Sequence, residues 1–128
     1  MGTSQQRLPL RGRVLVIDDD PSVRAFLSEF LEQEAFEVRI AQDGMQALTI
    51  FRAESFDLIL VDFQMPGMSG LEVAAEVRKT HPHIPIALIT GTAKTLNTDR
   101  VARAGITRIF QKPFDLEVVT HWIRSLSL

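Results

Sequence analysis

The chain has 128 residues, 45% of them apolar, with a formal net charge of −2 and an isoelectric point near 5.9. That is the length of one domain with enough apolar side chains for a packed core, which excludes a disordered segment and argues against a basic face for nucleic acid. The absence of cysteine excludes a disulfide framework, a thiol nucleophile and a thiolate metal site, and no apolar run approaches the ~18 residues of a membrane span.

The opening Met1 to Gln6 is polar and lacks the apolar centre of a secretory signal. Residues 1–12 read as a flexible arm or linker remnant, and a single domain is expected over 13–128. Its first element is the run Val14-Leu15-Val16-Ile17, which shows no in/out alternation and suits a strand buried on both faces. Asp20 followed by Pro21 supplies an N-cap and a proline at the first helical position. Val23, Phe26, Leu27, Phe30 and Leu31 then form an apolar helical stripe. A weaker strand is expected at 38–40, nearer an edge. Asp43 with Gln46 resembles a capping box before Ala47, Leu48 and Phe51.

The run at 58–61 predicts a second buried strand, and Ser69 with Glu72 a second capping box before Ala74, Ala75 and Val77. A third buried strand is expected at 84–89. The pattern over 94–104 predicts a helix ended by Gly105. A second weak strand is expected at 107–110, and Asp115 can cap a last helix carrying Leu116, Val119, Ile123 and Leu126. Strand and helix thus alternate five times, which implies an α/β, doubly wound parallel sheet with helices on both faces and right-handed crossovers.

In such a sheet, ligands bind outside the carboxyl ends of the strands. The first strand is followed by Asp18, Asp19 and Asp20, the third by Asp62, the fourth by Thr90, Gly91 and Thr92, and the fifth by Lys112 and Pro113. Asp20 is most simply the helix cap. The remaining carboxylates repel one another unless a cation joins them, and hard oxygen ligands suit Mg²⁺ or Mn²⁺. Mg²⁺ takes only one or two carboxylates, which leaves another free to attack phosphorus and form an aspartyl-phosphate. Lys112 would offset charge on the transferring group, and Thr90 can donate a hydrogen bond to it. His81, His83 and His121 make no convincing metal set. Trp122 and the eight phenylalanines read as packing, and the dispersed basic residues as solvated faces.

Four segments together resemble the response-regulator receiver domains of two-component signalling, of the chemotaxis-regulator kind. They are Val-Leu-Val-Ile-Asp-Asp-Asp at 14–20, Asp-Leu-Ile-Leu-Val-Asp-Phe-Gln-Met-Pro-Gly-Met-Ser-Gly at 57–70, Ile-Thr-Gly at 89–91 and Lys-Pro-Phe at 112–114. The resemblance implies a flavodoxin-like (βα)5 domain with strand order 2-1-3-4-5. It implies Asp62 as phosphoacceptor, Asp19 as a direct and Asp18 as a largely water-mediated Mg²⁺ ligand, and Asp62 and the Gln64 backbone carbonyl as further ligands. Lys112 and Thr90 would contact the phosphoryl group, and the small Gly91 would leave access. The implied donor is a phosphohistidine on a histidine kinase or histidine phosphotransfer protein, in the cytoplasm, with no direct contact to nucleic acid or membrane. Dimerisation through the fourth helix, fifth strand and fifth helix is a further implication.

One residue departs from the family pattern. Where an aromatic side chain often stands, three residues before the lysine, this chain has Ile109, and Phe110 one position later should face the other side of the sheet. The rival readings are a degenerate receiver used only for contacts, a haloacid-dehalogenase-type phosphatase and a flavodoxin-like FMN binder. The phosphatase lacks its late acidic pair and cap insertion here, and three aspartates after the first strand would repel FMN phosphate. No residues remain beyond the last helix for an output domain, so a stand-alone regulator or a receiver from a larger regulator or hybrid kinase is expected. Self-catalysed phosphotransfer and dephosphorylation would be its only catalysis.

Overall fold

The computed structural model describes residues 9–128, so most of the expected N-terminal arm lies outside the described residues. Five strands, β1 (Gly12–Ile17), β2 (Phe36–Ala41), β3 (Leu58–Asp62), β4 (Ile86–Thr90) and β5 (Arg108–Gln111), alternate with five helices. The helices are α1 (Pro21–Gln33), α2 (Gly44–Ala53), α3 (Gly70–Arg78), α4 (Thr98–Arg103) and α5 (Leu116–Ser125). All strands pair in parallel in the order β2-β1-β3-β4-β5, the doubly wound arrangement expected.

The missing alternation in the central strands has a direct cause, because both faces of the sheet are covered. Leu15, Ile17, Ile59, Val61, Ile86 and Leu88 pack with residues of α2, α3 and α4 on one face. Val14, Val16, Leu58, Leu60, Ala87 and Ile89 pack with Leu27 and Leu31 of α1 and Val119, Trp122 and Ile123 of α5 on the other. β3 and β4 are buried along their whole length, whereas β2 and β5, at the edges, mix buried and exposed positions.

The helix starts follow local chemistry. Asp20 accepts from the Ser22 N–H at 2.8 Å. The Ser69–Glu72 box closes in both directions, at 3.3 and 3.1 Å. The Asp43–Gln46 pair does so only in part. Asp43 accepts from the Gln46 N–H at 2.8 Å, but the Gln46 side chain returns to the N–H of Gln42, one residue before the cap.

Several expected boundaries shift, three of them with a clear local cause. The strand predicted at 84–89 begins at Ile86, since Pro85 has no N–H for the ladder. The helix predicted over 94–104 is a 3-10 turn (Ala93–Thr95) followed by α4. There the Asn97 side chain accepts the Arg100 N–H at 3.1 Å and starts a new helix. Gly105, at φ 80, ends α4 as expected. Gly12, assigned from sequence to the arm, already pairs with Phe36, and the Arg11 N–H before it donates to the Ala35 carbonyl at 2.7 Å.

One close approach ties the fold to the strand ends. A methyl group on Gly70, the first residue of α3, would meet the carbonyl oxygen of Asp62 and the side chain of Leu88. The absent side chain lets α3 begin directly against the end of β3. Gly70→Ala is therefore expected to destabilise the protein by about 1–3 kcal/mol, read as a lower urea midpoint with an unchanged m-value. An unaltered midpoint would show that this approach is not under steric constraint.

Candidate functional site

Strand order brings the polar residues together. β1 lies beside β3, with Ile17 opposite Val61, so Asp18 and Asp62 emerge side by side. β4 follows β3, with Asp62 opposite Ile89, and presents Thr90 next. β5 follows β4, with Thr90 opposite Gln111, and delivers Lys112. The backbone N–H of Lys112 donates to the Thr90 carbonyl at 2.8 Å, which fixes where its side chain leaves the sheet. The Lys112–Pro113 peptide bond is cis.

Asp18 and Asp62 are buried, at 1% and 6% exposure, and Asp19 is exposed. One carboxylate oxygen from each of the three lies within 4.8 Å of the other two. The Lys112 ammonium stands 3.2 Å from Asp18 Oδ2 and 3.2 Å from Asp62 Oδ1. Asp18 is held further by the Asp20 N–H, which donates to its Oδ1 at 2.9 Å, and by Arg24, whose Nη1 donates to its backbone carbonyl at 2.7 Å.

The electrostatics follow from this crowding. Burial pushes the Asp62 carboxyl up from its ordinary 3.8 to about 6; the Asp18 charge adds to the rise, and Lys112 opposes it. Burial pulls the Lys112 ammonium down, but the charges of Asp18 and Asp62 outweigh it and leave the ammonium above its ordinary value. One ammonium thus under-compensates the carboxylates around it. Oxygen-only donors at this spacing, with negative charge in excess, fit a hard divalent cation. An open cleft of about 390 Å³ runs outward from Asp19 between Gln42, Asp43, Gly44 and Met45 on one side and Pro66, Gly67 and Met68 on the other.

The other residues singled out from sequence are placed as follows. Gln64 is exposed in the loop after β3. Thr90 is buried, and its hydroxyl binds Thr92. A Cβ added at Gly91 would meet no atom within 4 Å beyond its chain neighbours. Ile109 lies opposite Leu88 and packs on the α2–α4 face. Phe110 lies on the other face, edge-on to Trp122 at 5.5 Å. Phe110 thus points to the opposite face of the sheet from Ile109, as strand alternation predicts. His81 packs edge-on against Phe51 at 4.7 Å, and His83 and His121 are exposed.

Arg24 was not singled out from sequence, although a signal exists. Long side chains in a first helical turn lean back toward the helix N-terminus, and here that direction leads to the Asp18 carbonyl.

Comparison with known proteins agrees with this geometry. The family pattern described as "Response regulator receiver domain" matches residues 14–124. The chain is 37% identical over 116 residues to the response regulator MprA of Mycolicibacterium vanbaalenii, covering 89% of this chain and 49% of that protein. It therefore spans about half the length of this relative. Among solved structures it resembles the chemotaxis protein CheY4 of Vibrio cholerae, with a TM-score of 0.83 and 30% identity, covering 93% of this chain and all of the other. It also resembles the response regulator TrrA of Thermotoga maritima, solved in complex with Mg²⁺-BeF, with a TM-score of 0.80 and 33% identity, covering 88% of this chain and 96% of the other.

The raised Asp62 value has a consequence for stability. A carboxyl that holds its proton more tightly in the folded chain stabilises fully below its unfolded value, and that contribution is lost as pH rises through the folded value. For Asp62 the loss runs between about pH 4 and pH 6 and reaches on the order of 3 kcal/mol. In chelator, Asp62→Asn is expected to melt above the parent at pH 7, by roughly 1–2 kcal/mol once the lost Lys112 contact is subtracted. The gap should shrink toward pH 4. A lower Tm for the variant at pH 7 would contradict this.

Proposed function

Since the chain belongs to the response-regulator receiver family, we propose that it accepts a phosphoryl group from a phosphohistidine onto Asp62. It is a regulatory domain of two-component signalling; the assignment of roles to its residues is the proposal. The observation that carries it is the Lys112 ammonium bridging Asp18 and Asp62 at 3.2 Å beside a third carboxylate.

Asp18, Asp19, Asp62 and the Gln64 backbone carbonyl would hold Mg²⁺, for which Mn²⁺ can substitute. A bound ion would neutralise charge on the phosphoryl oxygens. An ionised Asp62 oxygen attacks phosphorus, a P–O bond forms, the P–N bond to the donor imidazole breaks, and the imidazole nitrogen keeps the electron pair. Lys112 balances charge on the phosphoryl oxygens, from a site that burial makes less screened than water. Asp18, anchored by Asp20 and Arg24, keeps Lys112 aimed at Asp62. The product carries about −1.5 to −2 charge at neutral pH, and Thr90 turns its hydroxyl to a phosphoryl oxygen. Readout runs through shifts of α4 and β5, because Ile109 offers no aromatic rotamer to Thr90.

The partners on this reading are a histidine kinase or histidine phosphotransfer protein in the cytoplasm, with the α4–β5–α5 face available to a second copy. Direct contact with nucleic acid or membrane forms no part of the reading. Among the described residues, no helix is long and apolar enough to cross a membrane. A degenerate receiver has no feature in its favour, since Asp18, Asp19, Asp62, Thr90 and Lys112 are all present.

Incubation with a small-molecule phosphodonor and Mg²⁺, followed by intact mass, tests the assignment. The parent should gain one phosphoryl group, and chelator should prevent it. Asp62→Asn should gain none, and Lys112→Ala should label at least ~10-fold more slowly. Equal labelling of the parent and Asp62→Asn would refute the choice of acceptor.

A further inference from the structure

Thr90 is 2% exposed, and a buried hydroxyl needs partners for its proton and its lone pairs. Both partners come from one residue. The Thr92 backbone N–H donates to Thr90 Oγ1 at 3.0 Å, and the two hydroxyl oxygens lie 3.0 Å apart. The donor in the hydroxyl pair follows from burial. Thr92 is exposed and its proton can bond to water, whereas the Thr90 proton has the Thr92 oxygen as its acceptor among the described residues. Leaving that buried proton unpaired would cost more than leaving the exposed one to solvent.

Thr92 is itself held in place. Its carbonyl accepts from the Thr95 N–H at 3.0 Å and the Thr95 hydroxyl at 2.9 Å, in the 3-10 turn that precedes α4.

We propose that Thr92 is a positioning residue: its hydroxyl latches the Thr90 hydroxyl in the resting orientation and sets the cost of presenting it to a phosphoryl group on Asp62. This rests on the reading of Asp62 as acceptor and Thr90 as donor to the phosphoryl oxygen. The Thr90 hydroxyl has one proton, which cannot serve the Thr92 oxygen and a phosphoryl oxygen together. Phosphorylation therefore exchanges one acceptor for the other, and the anionic oxygen wins because charge-assisted hydrogen bonds are stronger. Removing the Thr92 hydroxyl weakens only the resting side of that exchange. A larger share of molecules then has Thr90 free to turn, and the apparent affinity for a phosphoryl mimic rises by that share.

Calorimetric titration of the full 128-residue chain with beryllofluoride in Mg²⁺ tests this. Thr92→Ala should bind roughly 3- to 10-fold more tightly than the parent, the equivalent of one net hydrogen bond. Thr92→Ser, which keeps the hydroxyl, should stay within about twofold of the parent. In a Thr90→Ala background, Thr92→Ala should add no further gain. Melts in Mg²⁺ with and without beryllofluoride provide the structural control, since a merely structural Thr92 would lower Tm alike in both and leave Kd unmoved. Equal Kd for the parent and Thr92→Ala, or a Thr92→Ser that behaves like the alanine variant, would overturn the latch alone. A parent that binds no beryllofluoride would overturn the acceptor reading and the latch with it.

Discussion

Two buried carboxylates, Asp18 and Asp62, share a single ammonium, and the mismatch shapes everything around it. Lys112 reaches both at 3.2 Å, yet Asp62 still holds its proton well above the ordinary carboxylate range. Bringing like charges out of water is unfavourable unless positive charge accompanies them. The fold meets part of that demand with Lys112, and with N–H groups directed at the Asp18 side chain and carbonyl from Asp20 and Arg24. On the proposed reading, a divalent cation would meet the remainder. A site fully neutralised by protein groups would be more stable and would have nothing left to bind, a familiar opposition between stability and function.

The rest of the architecture serves to hold this unfavourable cluster. Both sheet faces are covered by apolar side chains, so the strands that lead to Asp18, Asp62 and Thr90 are packed on both sides. Gly70 lets α3 start against the Asp62 carbonyl, and the closed Ser69–Glu72 box fixes that start. The Lys112 N–H bond to the Thr90 carbonyl couples β4 to the base of the lysine. Side chains held by packing and hydrogen bonds in this way are what preorganisation of a charged site requires.

Signal transfer has its own wiring. Thr90 connects to Thr92, and Thr92 to Thr95 just before α4. On the proposed reading, a turn of the Thr90 hydroxyl would change its bonds to Thr92, next to the turn that precedes α4, the shortest of the five α-helices at Thr98–Arg103. On the opposite face, Phe110 packs edge-on to Trp122 of α5. The aromatic contact of β5 thus looks toward α5, away from the α2–α4 face where Ile109 packs, which separates the hydroxyl from any aromatic rotamer on its own strand neighbour.

Much of the fold was legible in the sequence because its signals are local. Unbroken apolar runs marked β1, β3 and β4, caps at Asp20, Ser69 and Asp115 marked helix starts, and strand–helix alternation implied the parallel sheet. The motif at the strand ends named the residues of the candidate site. Local signals failed where two local choices competed. Asn97 broke the helix expected over 94–104 by capping a shorter one, and Gln46 bonded to Gln42 instead of closing its box. Only the tertiary structure decided how the site residues meet. It placed one lysine between two carboxylates, sent Arg24 to the Asp18 carbonyl and gave the Thr90 hydroxyl to Thr92. The physical reason is distance: sequence states which charges and hydroxyls exist, but burial and a few ångströms between residues far apart in the chain decide which pairs form and how far Asp62 departs from an ordinary carboxylate.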